Sequence, residues 1–116
     1  MNDLAASSCE ACRIDAPIVS DDEASVLIKE IEGWHLINDG VKKLKKEFNF
    51  SSYSDSKDFT NKVADMADQE DHHPQIILEW GKVTVTWWSH KINGLHVNDF
   101  IMAAKTDMIA KLSVKS

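Results

Sequence analysis

Three histidines are the residues best suited to chemistry in this chain of 116 amino acids. His72 and His73 are adjacent and precede Pro74, and His90 lies at the end of a β-rich run. Gly81 lies between these positions and is typical of a hairpin turn. Because the start of one hairpin strand lies opposite the end of the other, we expect His72 or His73 to lie close to His90. A cluster with one protonated and one neutral imidazole can donate one proton and accept another, as general acid–base catalysis requires.

The same histidines have two other interpretations. Adjacent histidines before a proline often do no more than end a helix, and spacing alone favours this interpretation over acid–base chemistry. A metal site is the third interpretation, but zinc needs three ligands in a fixed geometry, and adjacent residues rarely both reach one ion. A further histidine, His35, belongs to a short strand, and we expect it to have no functional role.

Aromatic and acidic residues accompany the histidines. Trp80, Trp87 and Trp88 belong to the same β-rich segment, and their expected role is packing, although a flat ligand could stack on one that lies beside the histidines. Asp99 follows His96 by three residues at the start of a predicted helix. Its carboxylate can accept the N-cap amide of that helix, as in a capping box, and a role in the site is the alternative.

The two cysteines form a single C-x2-C pair, Cys9 and Cys12. Structural zinc sites usually combine two such pairs or add histidines, so we expect this pair to be functionally silent, with half a metal site as the alternative. The absence of other cysteines is typical of a reducing compartment, and we expect a cytoplasmic protein.

Composition narrows the class of protein. The chain has 13 basic and 19 acidic residues and a formal net charge of -6 at pH 7. A nucleic-acid interface needs a basic face that displaces counterions, and an anionic membrane surface also attracts basic segments. We therefore expect neither nucleic acid nor membrane as a partner. The apolar fraction of 43% is enough for a core without disulfides.

Hydrophobic periodicity and turn residues predict the order α-β-β-α-β-β-α. Residues 1–19 lack periodicity and are predicted to be an irregular leader, and residues 20–116 a single domain. This order predicts an α+β fold, a four-stranded antiparallel sheet with three helices packed on one face. The predicted elements are a helix at 21–31, strands at 34–37 and 41–50, a helix from Ser54 or Asp55 to before Pro74, strands at 76–78 and 83–88, and a helix at 97–112.

Side-chain patterns define the predicted helices further. Ser20 and Glu23 have the form of a capping box at the start of the first helix. The apolar stripe of the second helix is predicted to contain Phe59, Val63, Met66 and Ala67, and that of the third Ile101, Ala104, Met108 and Leu112.

The rarer residues of the chain together resemble the pterin-4a-carbinolamine dehydratase family. The family pattern consists of an acidic residue, three other residues, His-His-Pro, an aromatic residue, a distant histidine and an aspartate. This chain matches it in order and spacing, and the resemblance extends over about residues 20–112. The matching residues are Asp68, His72, His73, Pro74, Trp80, His90 and Asp99. One difference is His96, where relatives often have a serine or threonine cap, so the third helix is expected to start more loosely here.

The resemblance implies a function and a site. Members remove water from a 4a-hydroxytetrahydropterin, which recycles the cofactor of aromatic amino acid hydroxylases such as phenylalanine hydroxylase. No cofactor and no metal are required. By this resemblance, the residues expected to act in catalysis are His72, His73 and His90. His72 and His90 are expected to be the acid–base pair and His73 an orienting donor. Substrate-binding or supporting roles fall to Asp68, Pro74, Trp88 and Asp99.

The resemblance also concerns assembly and partners. Family members form homodimers or homotetramers, and the N-terminal leader resembles that of the bacterial branch that accompanies phenylalanine hydroxylase. Animal relatives also act as dimerisation cofactors of a transcription factor. A regulatory protein-binding role, or transcriptional coactivation, is therefore the alternative function.

Overall fold

The computed structural model describes residues 18–90 and 92–113. Within these residues the chain folds into three α-helices and four strands in the predicted order, so the predicted fold class is confirmed. Cys9 and Cys12 lie outside the described residues. The elements are α1 (Asp21–Leu27), which continues as a 3-10 turn (Ile28–Glu30), β1 (His35–Asn38), β2 (Lys42–Asn49), α2 (Tyr53–Glu70), β3 (Gln75–Glu79), β4 (Lys82–Trp87) and α3 (Val97–Ser113).

The four strands form one antiparallel sheet in the order β1-β2-β4-β3. Strands β3 and β4 form the predicted hairpin. Glu79 pairs with Lys82 across a two-residue turn, and Gly81 in this turn has a φ of +74°. At the other end of the hairpin, Gln75 pairs with Thr86. The residues just before β3 therefore lie beside those just after β4, which is the end of the sheet where the histidines are.

One face of the sheet packs against the helices. Leu44 in β2 and Trp87 in β4 pair across the strands and are fully buried on this face. The core between the sheet and the helices also contains Phe48, Phe59, Val63, Val83, Val85, Phe100, Met102 and Ala103. The predicted stripe of α2 is confirmed, since Phe59, Val63 and Ala67 are buried and Met66 packs against them.

Specific contacts define both ends of α2, and the C-terminal end leads to the histidines. Ser52 is the N-cap, and its side chain accepts a hydrogen bond from the Asp55 amide, so the helix begins slightly before the predicted Ser54 or Asp55. After Glu70 the helix ends at Asp71, whose φ of 53° is left-handed, and the His72 amide donates to the Ala67 carbonyl. This left-handed residue turns the chain out of the helix towards β3.

Helices α1 and α3 differ in how well the sequence predicts their side-chain environments. The capping box of Ser20 and Glu23 is present in both directions, as predicted. In α3 the predicted apolar stripe leaves the core, because Ile101 is buried but Met108 and Leu112 are 47% and 71% exposed. The side of α3 that stays buried includes polar residues such as Thr106, which apolar periodicity does not detect.

Thr106 connects α3 to the sheet. Its hydroxyl donates to the Met102 carbonyl (2.7 Å) and accepts from the indole Nε1 of Trp87 (3.0 Å). Both residues are fully buried. The hydroxyl therefore satisfies the one polar atom of the largest side chain in the core.

We expect Thr106→Val to lower the free energy of unfolding by about 1–3 kcal/mol, because it leaves a buried indole N–H without its acceptor. Chemical denaturation provides the measurement. Thr60→Val is the matched control, since the half-buried Thr60 hydroxyl donates to Ser56 within α2 and the same change in shape should cost less. Equal losses in the two variants would contradict the assigned role of Thr106.

Candidate active site

The hairpin brings the predicted histidines together. The Nε2 atom of His90 lies 3.3 Å from the backbone oxygen of His73. The ring of His90 contacts the ring of Trp88, with 4.4 Å between centroids. The prediction that His90 lies near the adjacent pair is therefore confirmed as a statement about geometry. His73 and His90 are exposed, so a ligand has access to both imidazoles.

His72 occupies a different environment from its neighbour. It is 7% exposed, and its ring stacks on the indole of Trp87 at 5.6 Å with an interplanar angle of 5°. Its Nε2 atom lies 2.7 Å from Oδ1 of Asp99, which is fully buried. Packing and a short hydrogen bond thus fix the imidazole of His72 in one orientation.

Asp99 joins three parts of the fold. Its Oδ1 atom faces His72, and its Oδ2 atom accepts from the Ser89 hydroxyl (2.8 Å) and from the His96 amide (3.1 Å). The predicted cap on the N-terminus of α3 is confirmed. The same carboxylate also reaches the end of α2 and the end of β4, so capping and contact with the histidines are properties of one residue.

His96 caps α3 with its own side chain. Its Nδ1 atom accepts from the Asn98 amide (3.1 Å), and the residue is buried. The expectation of a loose start to α3 is therefore wrong, because an imidazole nitrogen replaces the hydroxyl of a serine or threonine cap. Burial lowers the pKa of His96 from its ordinary value of 6.5; the Asp99 charge opposes this shift, and His72 adds to it.

The acidic partner predicted for the histidines contacts His73. Oδ1 of Asp68, in the last turn of α2, lies 3.3 Å from Nε2 of His73. Both side chains are largely exposed, so this contact orients His73 only weakly. Pro74 is half-buried and leads directly into β3.

A lysine that the sequence did not predict lies at the site. Lys43 of β2 places its ammonium 4.2 Å from the ring centroid of Trp88. The ammonium also donates to Asp39 and, through this hydrogen bond, lowers the pKa of that carboxyl. The contact depends on the pairing of Leu44 with Trp87, which a single sequence does not specify. Trp88 is thus bordered by a cation and by His90.

The three imidazoles share one protonation pattern. Nε2 of His72 and of His73 faces a carboxylate oxygen, and Nε2 of His90 faces a backbone carbonyl. Carbonyl and carboxylate oxygens accept hydrogen bonds, so these contacts favour the tautomer in which a neutral ring carries its hydrogen on Nε2. In that tautomer Nδ1 is the ring nitrogen that can accept a hydrogen bond.

The remaining predicted residues lie elsewhere. His35 is exposed in β1, and Trp80 is 71% exposed in the turn of the hairpin, at the far end from the histidines. Trp87 packs in the core beneath His72. Among the residues that the structure describes, no three histidine, cysteine or acidic side chains are grouped so that they could hold a metal ion. Within the same ranges, no helix has both the length and the apolar character needed to cross a membrane.

Residues 17–109 match the family model of pterin 4 alpha carbinolamine dehydratase. The chain belongs to this family. Two similar bacterial proteins share the name "Putative pterin-4-alpha-carbinolamine dehydratase". The one from Marinobacter nauticus is 55% identical over 92% of this chain and 97% of the relative, and that from Saccharophagus degradans is 52% identical over 94% and 97%.

Two solved structures have a similar fold. A protein described as a transcriptional coactivator/pterin dehydratase from Brucella melitensis has a TM-score of 0.76 and 29% identity over 81% of this chain and 99% of its own. A pterin dehydratase-like protein described as a RuBisCO assembly factor in the alpha-carboxysome has a TM-score of 0.59 and 24% identity, covering 68% of this dehydratase family member and 90% of its own chain. At that identity the second likeness concerns the fold alone.

We expect NMR of this dehydratase family member to find the Nε2–H tautomer for neutral His72, because its Nε2 atom faces a buried acceptor. Long-range proton–nitrogen correlation spectra distinguish the two tautomers. His35, exposed in β1, is the internal reference for a solvated imidazole. An Nδ1–H tautomer at His72 would contradict the donor role of Nε2 towards Asp99.

We also expect neutral His96 to contribute stability that is lost on acidification. Because the folded pKa is lowered, the unfolded chain holds a proton between the folded value and 6.5 that the folded chain lacks. Stability therefore rises with pH in that window, is fully present above about 6.5, and falls as the pH drops below it.

Thermal unfolding midpoints measured between pH 8 and pH 5 test this. In His96→Asn the amide caps α3 without titrating, so the midpoint should fall less on acidification than in the wild type. Identical pH profiles of the two proteins would contradict the role of His96.

Proposed function

We propose that this chain is a pterin-4a-carbinolamine dehydratase that acts by histidine acid–base catalysis. The observation that carries the proposal is the buried His72–Asp99 pair, 2.7 Å apart, at the same end of the sheet as His73 and His90. A fixed imidazole beside two accessible ones provides a proton donor and a proton acceptor at one place. Membership of the dehydratase family supports the same activity.

The reaction needs one proton delivered and one removed. An acid protonates the hydroxyl on C4a of the 4a-hydroxytetrahydropterin, the C4a–O bond breaks, and water leaves. A base takes the proton from N5, and the electrons of the N5–H bond form the C4a–N5 double bond of the quinonoid dihydropterin. The overall change is the loss of one water molecule, so no oxidant or reductant takes part.

The geometry supports distinct roles for the histidines. We assign His72 as the acid, because its ring is hydrogen-bonded to the buried carboxyl group of Asp99, a partner that can stabilise an imidazolium. We assign His90 as the base, since its Nε2–H faces the His73 carbonyl and leaves Nδ1 to accept the N5 proton. We assign His73 as the donor that orients the substrate, with Asp68 as a weak partner of its ring.

The remaining residues of the proposed site shape it. Trp88 borders His90 and offers an aromatic surface for the flat pterin ring. Pro74 directs the chain from His73 into β3. Asp99 orients the ring of His72. Each of these roles acts through position rather than through proton transfer.

The proposal extends to the cellular context. The substrate forms when an aromatic amino acid hydroxylase turns over, and phenylalanine hydroxylase is the proposed functional partner. We propose a homodimer or homotetramer in the cytoplasm that acts without a cofactor. Copurification with the hydroxylase and the molecular mass in solution test these two points.

We expect His72→Gln and His90→Gln to lower the single-turnover rate of dehydration by about a hundredfold or more, because each removes a proton-transfer group. His73→Gln should weaken substrate binding more than it slows the chemical step. Stopped-flow measurement with enzymatically generated 4a-carbinolamine separates these effects.

His35→Gln is the matched control, since it makes the same change in an exposed histidine of β1 and should leave the rate unchanged. Full activity of the His72→Gln protein would contradict the mechanism. Absence of dehydration by the wild-type protein would contradict the function itself.

The alternative is a regulatory protein-binding role. The observation in its favour is the coactivator designation of the Brucella melitensis relative, which is 29% identical. A His72→Gln, His90→Gln double variant separates the two, because it should lose dehydration while a protein-binding surface elsewhere would stay intact. A wild-type protein without dehydratase activity that binds a regulatory protein would favour this alternative.

A further inference from the structure

Ser89 lies between Trp88, which is half-buried, and His90, which is exposed. Ser89 itself is 5% exposed. Its hydroxyl donates to Oδ2 of Asp99 at 2.8 Å. The other oxygen of the same carboxylate faces His72. One small side chain therefore connects the segment that carries His90 to the partner of His72.

The backbone of Ser89 closes the loop that follows β4. Its amide donates to the Gly94 carbonyl (2.8 Å), and its carbonyl accepts from the amides of Gly94 and Ile92, both at 3.3 Å. His90 is the first residue of the loop beyond this closure. The position of the Ser89 backbone thus fixes where His90 leaves the sheet.

From these contacts we infer that Ser89 is a positioning residue that sets His72 and His90 relative to one another. This inference rests on the proposed function. Ser89 does not touch the reacting atoms in this scheme. It acts through the Asp99 carboxylate on one side and through the loop backbone on the other.

The burial of Asp99 explains why the hydroxyl matters. Because Asp99 is fully buried, bulk water does not stand in for a lost donor. Without the Ser89 hydroxyl, Oδ2 keeps the His96 amide as its donor, and the carboxylate can rotate about its Cβ–Cγ bond. Rotation moves Oδ1 and with it the ring of His72, and small displacements of a catalytic group are costly in rate.

A matched serine exists in α2. Ser56 is also fully buried, and its hydroxyl donates to the Ser52 carbonyl at 3.0 Å. It lies in the first turn of α2, at the opposite end of that helix from Asp68. Ser56→Ala therefore removes the same atom from an equally buried place without touching the Asp99 network.

The experiment compares wild type, Ser89→Ala, Ser89→Thr and Ser56→Ala. The first readout is kcat and KM for dehydration of enzymatically generated 4a-carbinolamine. The second, which does not depend on activity, is the imidazole ring resonances of His72 and His90 by NMR. Thermal unfolding of each protein measures the stability lost.

We expect Ser89→Ala to lower kcat about tenfold or more with little change in KM, and to shift the ring resonances of both histidines. Ser89→Thr keeps the hydroxyl and should stay closer to the wild type in both readouts. Ser56→Ala should lose stability while keeping wild-type kcat and resonances.

The inference is overturned if Ser89→Ala leaves the resonances of His72 and His90 unchanged, or if Ser56→Ala reduces kcat as much as Ser89→Ala does. A Ser89→Thr protein no better than the alanine variant would also overturn it. Failure of the proposed function gives a different result, because the wild-type protein would then not dehydrate the carbinolamine. The ring resonances of His72 and His90 would still test the role of Ser89 in that case.

Discussion

The buried carboxylate of Asp99 is the interaction on which the rest of this site depends. A carboxylate removed from water is stable only when hydrogen-bond donors replace the lost solvation. Here a histidine from the end of α2, a serine hydroxyl after β4 and an amide at the start of α3 surround it. Each of these three parts of the chain is thereby held to the same point. The arrangement that supplies these donors also holds the imidazole of His72 beside the end of β4.

The division between buried and exposed histidines follows from this constraint. His72 is stacked on Trp87 and bound to Asp99, whereas His73 and His90 are open to solvent. Adjacent residues on an extended chain point in opposite directions. One histidine of the pair therefore enters the core while the next stays outside. The pair therefore consists of one imidazole held by packing and one that is open to solvent.

Much of the fold, and part of the site, could be predicted from the sequence. The two-residue turn at Gly81 and the β-rich runs on either side determine that the start of β3 lies beside the end of β4. The proximity of His90 to His73 could therefore be predicted from hairpin geometry alone. Asp99 was predicted as a cap because a capping box is local. The contacts of Lys43 with Trp88 and of Ser89 with Asp99 were not predicted, since each depends on strand register or tertiary packing. The predicted apolar stripe of α3 was wrong at Met108 and Leu112, which are exposed, since the buried positions of this helix include the polar Thr106.

The tight connection between β3 and β4 has a consequence for how this protein can change over time. Because the turn has only two residues, the lengths of the two strands determine how close positions 73 and 90 lie to each other. Adding or removing one residue in either strand would invert the side chains beyond that point and send one histidine to the wrong face. Replacing a single side chain in the hairpin preserves the strand register, whereas an insertion or a deletion does not. We therefore expect an insertion or deletion within this hairpin to disturb the site more than one in a loop outside it.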